Sequence, residues 1–202
     1  MSGLRDLSWA VVDLETSGGR PKAGWDKNGT FHPASEITEV GLVQLAGSIR
    51  QEAFTSLCAV EGGVPAFIQR LTGITPRLLE GAPTWQTVAL RMAPLLEGRV
   101  WVAHNAPFDG GFLKAYLPEG LWRRHTLVCT VKLAKLLVPE AASRSLGALC
   151  ETLALSNRRP HRALPDAEAT AELLQVLLER AEARNLDAET LLEKGRVDWG
   201  RL

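Results

Sequence analysis

A chain of 202 residues with 46% hydrophobic content is long enough for one domain with a substantial core, which excludes disordered and fibrous classes. Its 23 Lys and Arg balance 23 Asp and Glu, so the formal net charge is zero. That balance excludes the broad basic surface of a protein that holds long nucleic acid by charge alone; a polyanion would have to be gripped locally or delivered by a partner.

In chain order, Trp9 to Glu15 is apolar on both faces apart from its acids, as expected of a central strand. Residues 16–36, "TSGGRPKAGWDKNGTFHPASE", gather Gly, Pro, Lys and Asn without periodicity and read as a long loop. Ile37 to Leu45 and Gln51 to Cys58 are β-rich runs separated by "AGSIR", which predicts an antiparallel hairpin. Short helical segments follow near Ala66 to Leu71 and Pro76 to Leu79. A longer helix is capped by Thr84 and turns Trp85, Val88, Ala89, Met92 and Leu96 inward.

"RVWVAH", Arg99 to His104, returns to strand. Asn105 is then expected to cap a helix with Pro107 in its first turn and Phe108, Phe112, Leu113 and Tyr116 on its apolar side. Helical stretches around Val131 to Leu137 and Ser145 to Leu153 precede a long helix from about Pro165 to Arg184. Strands first and interleaved helices afterwards indicate an α/β fold with a central mixed sheet flanked by helices.

Cys58, Cys129 and Cys150 are an odd number without C-x-x-C spacing, which argues against a disulfide framework or a zinc knuckle and suggests buried thiols in a reducing compartment. No apolar run approaches the roughly 18 residues that span a bilayer, and "MSGLRDLSW" lacks the hydrophobic region of a secretory signal. The expectation is a cytoplasmic protein with no membrane partner.

Three places put acids or histidines where the local pattern prefers something else. In "VVDLETSG", Asp13 and Glu15 are two apart on a strand and share a face, so their like charges add to the cost of burying either one. A Lys or Arg partner and a bound cation are both open answers. "AHNAPFDGGF" carries His104, Asn105 and Asp109 at a strand-to-helix junction, and "HRALPDAEAT" carries His161 and Asp166 at the start of the last helix. Such junctions line the carboxyl-end crevice of an α/β sheet. Four carboxylates converging there would repel one another without metal, whereas hard oxygen ligands hold divalent cations.

The order D-x-E-T, H-N-A-x-F-D and H-x4-D resembles the three motifs of the DEDDh, or DnaQ-like, 3'-5' exonuclease superfamily, which has a ribonuclease H-like fold and includes the proofreading epsilon subunit of bacterial DNA polymerase III. The resemblance runs from about Ser8 to Leu178 and includes "LTGIT" and "SLGALCETLAL". It implies an exonuclease domain over residues 1–184, with 185–202 as a short C-terminal tail. It also implies that Asp13, Glu15, Asp109 and Asp166 hold two divalent cations, Mg2+ or Mn2+, and that His161 is the general base.

By the same resemblance, Leu14, Thr16, Ser17, Leu71, Thr72, His104, Asn105 and Phe108 would cradle the terminal nucleotide. The implied substrate is the 3' end of single-stranded or frayed DNA, with RNA as the alternative, and a DNA polymerase catalytic subunit is a candidate partner. A non-catalytic binding subunit is the competing class, and the presence of all five site residues argues against it. The loop from Gly18 to Ser35 is longer than usual in relatives. Its Arg20, Lys22, Trp25 and Lys27 could funnel and stack single strands.

Overall fold

The computed structural model describes residues 3–157 and 159–202. Met1 and Ser2, where the stretch read for a signal begins, and Arg158 lie outside the described residues. The chain forms β1 (Ser8–Thr16), β2 (Gly24–Trp25), β3 (Phe31–His32), β4 (Ile37–Ala46) and β5 (Ile49–Leu57), then α1 (Ala66–Thr72) and α2 (Trp85–Leu96). It continues through β6 (Val100–Ala103), α3 (Pro107–Tyr116), α4 (Glu119–Trp122), β7 (Leu127–Cys129), α5 (Thr130–Leu137), α6 (Leu146–Leu153), α7 (Ala163–Ala183), α8 (Ala188–Gly195) and β8 (Arg196–Val197).

The main sheet has the order β5-β4-β1-β6-β7-β8. β4 and β5 are antiparallel to their neighbours, β1, β6 and β7 run parallel, and β8 is antiparallel to β7, so the expected mixed sheet is present. Strand alternation sorts the core into two layers. Trp9 and Val11 of β1 join Val43 and Leu45 of β4 against α5 to α8, while Ala10, Val12 and Leu14 join Leu42 and Trp101 against α2 to α4. Asp13 and Glu15 therefore belong to the face that α7 crosses.

Several expectations are corrected. The 16–36 segment is not wholly irregular: Gly24 pairs with His32 and Trp25 with Phe31 in a small separate hairpin. Asn105 does not cap α3; its φ is 55° and Ala106 occupies the cap position without a side-chain bond. Asn is among the few residues that tolerate this left-handed geometry, and here it turns the chain sharply from β6 into α3. Phe108 is exposed rather than inward, unlike Phe112 and Leu113.

The short strand β7 and the helix α4 had no sequence period long enough to show. The segment after Arg184, read as a tail, carries α8 and the edge strand β8, and Trp199 beyond it packs on Trp101 and Trp122 at ring separations of 5.8 and 5.4 Å. The Trp199 indole N–H donates to the His125 carbonyl at 2.8 Å.

One close approach sets the position of α7. A Cβ added to Gly41 of β4 would lie 2.3 Å from the Ala163 carbonyl group and 2.4 Å from the Leu164 nitrogen. Gly41 is the β4 partner of Asp13, so the missing side chain lets the start of α7 come down onto the strand pair beside the acid. Gly41→Ala is expected to cost roughly 1–3 kcal/mol, the usual range for overpacking a filled core. Urea unfolding of the variant checks this, and a midpoint equal to wild type would show that α7 can lift away freely.

Candidate active site

β6 pairs with β1 only from Trp9 to Val11, so beyond Val11 the two parallel strands part and open a crevice at their carboxyl ends. The Leu14 amide, left without a β6 acceptor, donates instead to Asp109 Oδ1 at 3.0 Å. That single bond draws the first turn of α3 against the end of β1. Asp109 is thus placed by backbone hydrogen-bond accounting, and it is buried.

From the other side, α7 brings Asp166 to the face that carries Asp13 and Glu15. One carboxylate oxygen from each of Asp13, Glu15 and Asp166 lies within 4.8 Å of the others. Among the described residues no Lys or Arg forms an ion pair with any of these three or with Asp109. Asp166 Oδ1 is buried with no hydrogen-bond partner among the described residues.

Burial raises the Asp13 carboxyl well above the usual carboxylate range, and Asp109, Glu15, Asp166 and Glu39 add to the effect. Burial pushes Glu15 up to about 8, again with help from neighbouring acids. Asp109 and Asp166 are raised for the same first cause, with the hydrogen bonds each accepts pulling the other way. The donor set is hard carboxylate oxygen, crowded and, among the described residues, without an ion-paired Lys or Arg, although the Arg162 guanidinium on Glu39 offsets part of the rise at Glu15; this fits divalent cations. Asp13, Glu15 and Asp166 would hold them; Asp109, the fourth acid that the motifs single out, is tied to the Leu14 amide and is not part of this three-acid cluster.

A contrast one strand away sharpens the point. Glu39 is the β4 partner of Glu15 and is also buried, yet its carboxylate accepts from Arg162 Nε at 2.9 Å, Arg162 Nη2 at 2.5 Å and the Ala163 amide at 3.0 Å. Among the described residues, arginine is therefore ion-paired to this one acid of the group and to none of the other four, Asp13, Glu15, Asp109 and Asp166. Glu39 and Arg162 were missed in the sequence; the signal was present, since Glu39 interrupts the apolar run "ITEVGLV" and Arg162 directly follows His161.

His161 has φ 62° and donates its backbone N–H to Asp166 Oδ2 at 2.8 Å. His161 is exposed, and with Asp166, Cys150 and Asn157 it lines a cleft of about 700 Å³ between α6 and the start of α7.

The other sequence candidates divide by what their polar atoms already do. His104 Nδ1 meets Thr130 Oγ1 at 2.8 Å and its Nε2 meets the Arg144 carbonyl at 2.9 Å. A carbonyl can only accept, so Nε2 carries the proton. Burial pushes this histidine down to about 4, so the ring is neutral and braces the crevice wall. Thr72 is buried, donating to the Ile68 carbonyl and accepting from the Ile74 amide. The Thr16 hydroxyl donates to the Gly18 carbonyl, and Ser17 Oγ accepts from the Glu36 amide. Leu71 and Phe108 are exposed at 42% and 36%, and Asn105 is exposed too, so these three have surface to offer a ligand. Leu14 presents backbone only, its side chain being in the core.

Comparison with known proteins agrees with this geometry. A family model described as Exonuclease, of the RNase T type, matches residues 10–174. The chain belongs to this DnaQ-like exonuclease family. The chain is 39% identical over 88% of its length to a Mycobacterium tuberculosis protein named as a candidate bifunctional exonuclease/endonuclease. It is 31% identical over 87% of its length to the DNA polymerase III subunit epsilon of Aquifex aeolicus, spanning 83% of that protein. It spans only 27% of the mycobacterial protein, and 19% and 12% of two further curated relatives.

Among solved structures, Exonuclease X in complex with 5' overhanging duplex DNA superposes with a TM-score of 0.68 at 23% identity, covering 92% of this chain and 98% of that one. The chain thus shares the ribonuclease H-like fold that its motif order implied.

The raised acids give a sign to the pH dependence of stability. Carboxyls near 4 in the unfolded chain and raised when folded favour the folded state fully below about 4, and that contribution is lost as pH rises through the folded value, about 8 for Glu15. In EDTA, the wild type is therefore expected to lose stability between pH 5 and pH 8.5, and Glu15→Gln to lose less. Calorimetry at the two pH values checks it; parallel slopes for the two proteins would contradict the crowding.

Proposed function

We propose that this exonuclease removes nucleotides from the 3' end of single-stranded or frayed DNA by a two-cation hydrolysis, releasing nucleoside 5'-monophosphates. The observation that carries this reading is the cluster of Asp13, Glu15 and Asp166, three carboxylates within 4.8 Å with no arginine or lysine paired to them among the described residues. Divalent cations bound there supply the positive charge that lowers the pKa of an attacking water and offsets charge growing on the phosphate. The names of the relatives, a polymerase III epsilon subunit and an exonuclease bound to DNA with a 5' overhang, support a DNA strand with a recessed or single 3' end.

The residues divide the remaining work. Asp13 and Glu15, on the central strand β1, and Asp166, from α7, would hold the cations. His161 lies on the cleft rim with its backbone tied to Asp166, and its imidazole would accept the proton of the attacking water. Phe108 and Leu71 provide exposed apolar surface against which a terminal base stacks.

Asp13→Ala or Asp166→Ala is expected to abolish shortening of a 5'-labelled oligonucleotide in Mg2+ or Mn2+ while the protein remains folded. Cuts within a circular single strand would refute the exonuclease polarity. For His161→Ala, kcat is expected to fall by roughly two to four orders of magnitude, the usual scale of general-base loss. The variant's residual rate is expected to follow hydroxide concentration instead of the wild-type pH profile. A variant whose pH and rate profile matches wild type would assign the proton to another group.

A further inference from the structure

We infer that the β2–β3 hairpin is a strand-holding element, gripping single-stranded nucleic acid upstream of the end that the site removes; the inference rests on the nuclease reading above and names a contact beyond it. Trp25 and Phe31 are 72% and 52% exposed. They are cross-strand partners on the same face of the hairpin, with ring centroids 5.3 Å apart in an edge-to-face arrangement. Neither joins the core clusters of the domain, so their area is not used to hold the fold. Aromatic faces presented to solvent are what unpaired bases stack on, independent of sequence.

The hairpin is built to hold this presentation. The Asp26 carboxylate accepts from the Asn28 amide at 2.8 Å and the Thr30 amide at 2.9 Å, and pairs with His32 Nε2 at 2.9 Å. The Asp26 amide donates across the turn to the Thr30 carbonyl at 2.9 Å, and Gly29 takes the left-handed φ of 77° that the turn requires. A polar network of this kind around a turn keeps two apolar side chains exposed in one orientation.

The hairpin also springs from the rim of the site. Ser17, two residues beyond Glu15, exchanges bonds with Glu36: its amide donates to the Glu36 carbonyl at 2.8 Å and its hydroxyl accepts from the Glu36 amide at 2.8 Å. Higher up, the Ser35 amide donates to the Arg20 carbonyl at 2.6 Å, and the Tyr116 hydroxyl of α3 donates to the Ser35 carbonyl at 2.7 Å. The segment is thereby fixed to the end of β1 and to α3, the two elements that carry Glu15 and Asp109.

Charge selects the occupant. Between Ser17 and Ser35 stand Arg20, Lys22 and Lys27 against the single acid Asp26, in a chain whose net charge is zero. All three cations are exposed, and none forms an ion pair among the described residues. Paired aromatic faces flanked by free cations match the bases and phosphates of a single strand. A second copy of this chain, carrying the same excess of positive charge on its own hairpin, would be repelled there.

The test compares wild type, Trp25→Ala/Phe31→Ala and the conservative Trp25→Phe/Phe31→Tyr. Binding of a 5'-fluorescein-labelled 20-nucleotide oligothymidylate is followed by anisotropy in EDTA, where no strand is consumed, and oligomeric state by light scattering. The alanine pair is expected to weaken binding about tenfold or more, on the usual scale of one lost base stack, and the aromatic pair to restore it. In Mg2+ or Mn2+, the KM of the alanine pair should rise more for the 20-mer than for a 4-mer. An alanine pair that binds like wild type overturns the inference while leaving the nuclease reading in place, as does a change confined to oligomeric state. A wild type that neither binds nor shortens the oligonucleotide removes both.

Discussion

The landing of α7 on β4 is the contact on which the site depends. Gly41 offers no side chain at the point where the Ala163 backbone would meet a Cβ, and the Arg162 guanidinium locks the incoming chain to Glu39 two residues further along the same strand. Removing a side chain from β4 and adding an ion pair beside the gap fixes both the height and the direction of α7. Asp166, one turn into that helix, then faces Asp13 and Glu15 at a distance that their own repulsion opposes. The fold holds the acids together; the acids do not hold the fold.

Electrostatics gives the same structure its logic. Four buried or half-buried acids, Asp13, Glu15, Asp109 and Asp166, are raised chiefly by burial, and the one neighbouring acid that receives an arginine, Glu39, is the one that anchors α7. A protein selected for stability alone would pair or replace the other acids, because uncompensated burial of charge is costly. Positive charge is instead expected from outside the chain, and the converse holds on the hairpin, where the exposed Arg20, Lys22 and Lys27 form no ion pair among the described residues. On the proposed reading, the acids face the cations and the hairpin faces the phosphates of one strand.

Much of this was legible in the sequence, for identifiable reasons. Asp13 and Glu15 stood out because a period of two puts them on one face of an otherwise apolar strand, and the long helix α7 announced itself by length. The α/β class followed from the order of strands and helices. What escaped were features decided by tertiary contact. Three-residue β7 and two-residue β8 carry no period, and their pairing is set by β6 and α8 rather than by local preference. Asn105 looked like a helix cap, but the need to turn directly from β6 into α3 placed it in the left-handed region instead. Glu39 interrupts the apolar run of β4, but its partner Arg162 is brought to it only by the fold, and the significance of Gly41 exists only once α7 lies across it. The aromatic hairpin was visible as residue types but not as a structure, since a two-residue pairing held by an Asp26-centred network has no sequence pattern of its own.

The central claim is that Asp13, Glu15 and Asp166 are held together for cations to occupy. Titration of the wild type with Mn2+, with free ion followed by electron paramagnetic resonance, tests it without reference to any substrate. Saturable uptake is predicted for the wild type and its loss for the combined Asp13→Asn, Glu15→Gln and Asp166→Asn variant, which keeps the shape of each side chain and removes its charge. Equal uptake by the two proteins, or none by either, would contradict the claim.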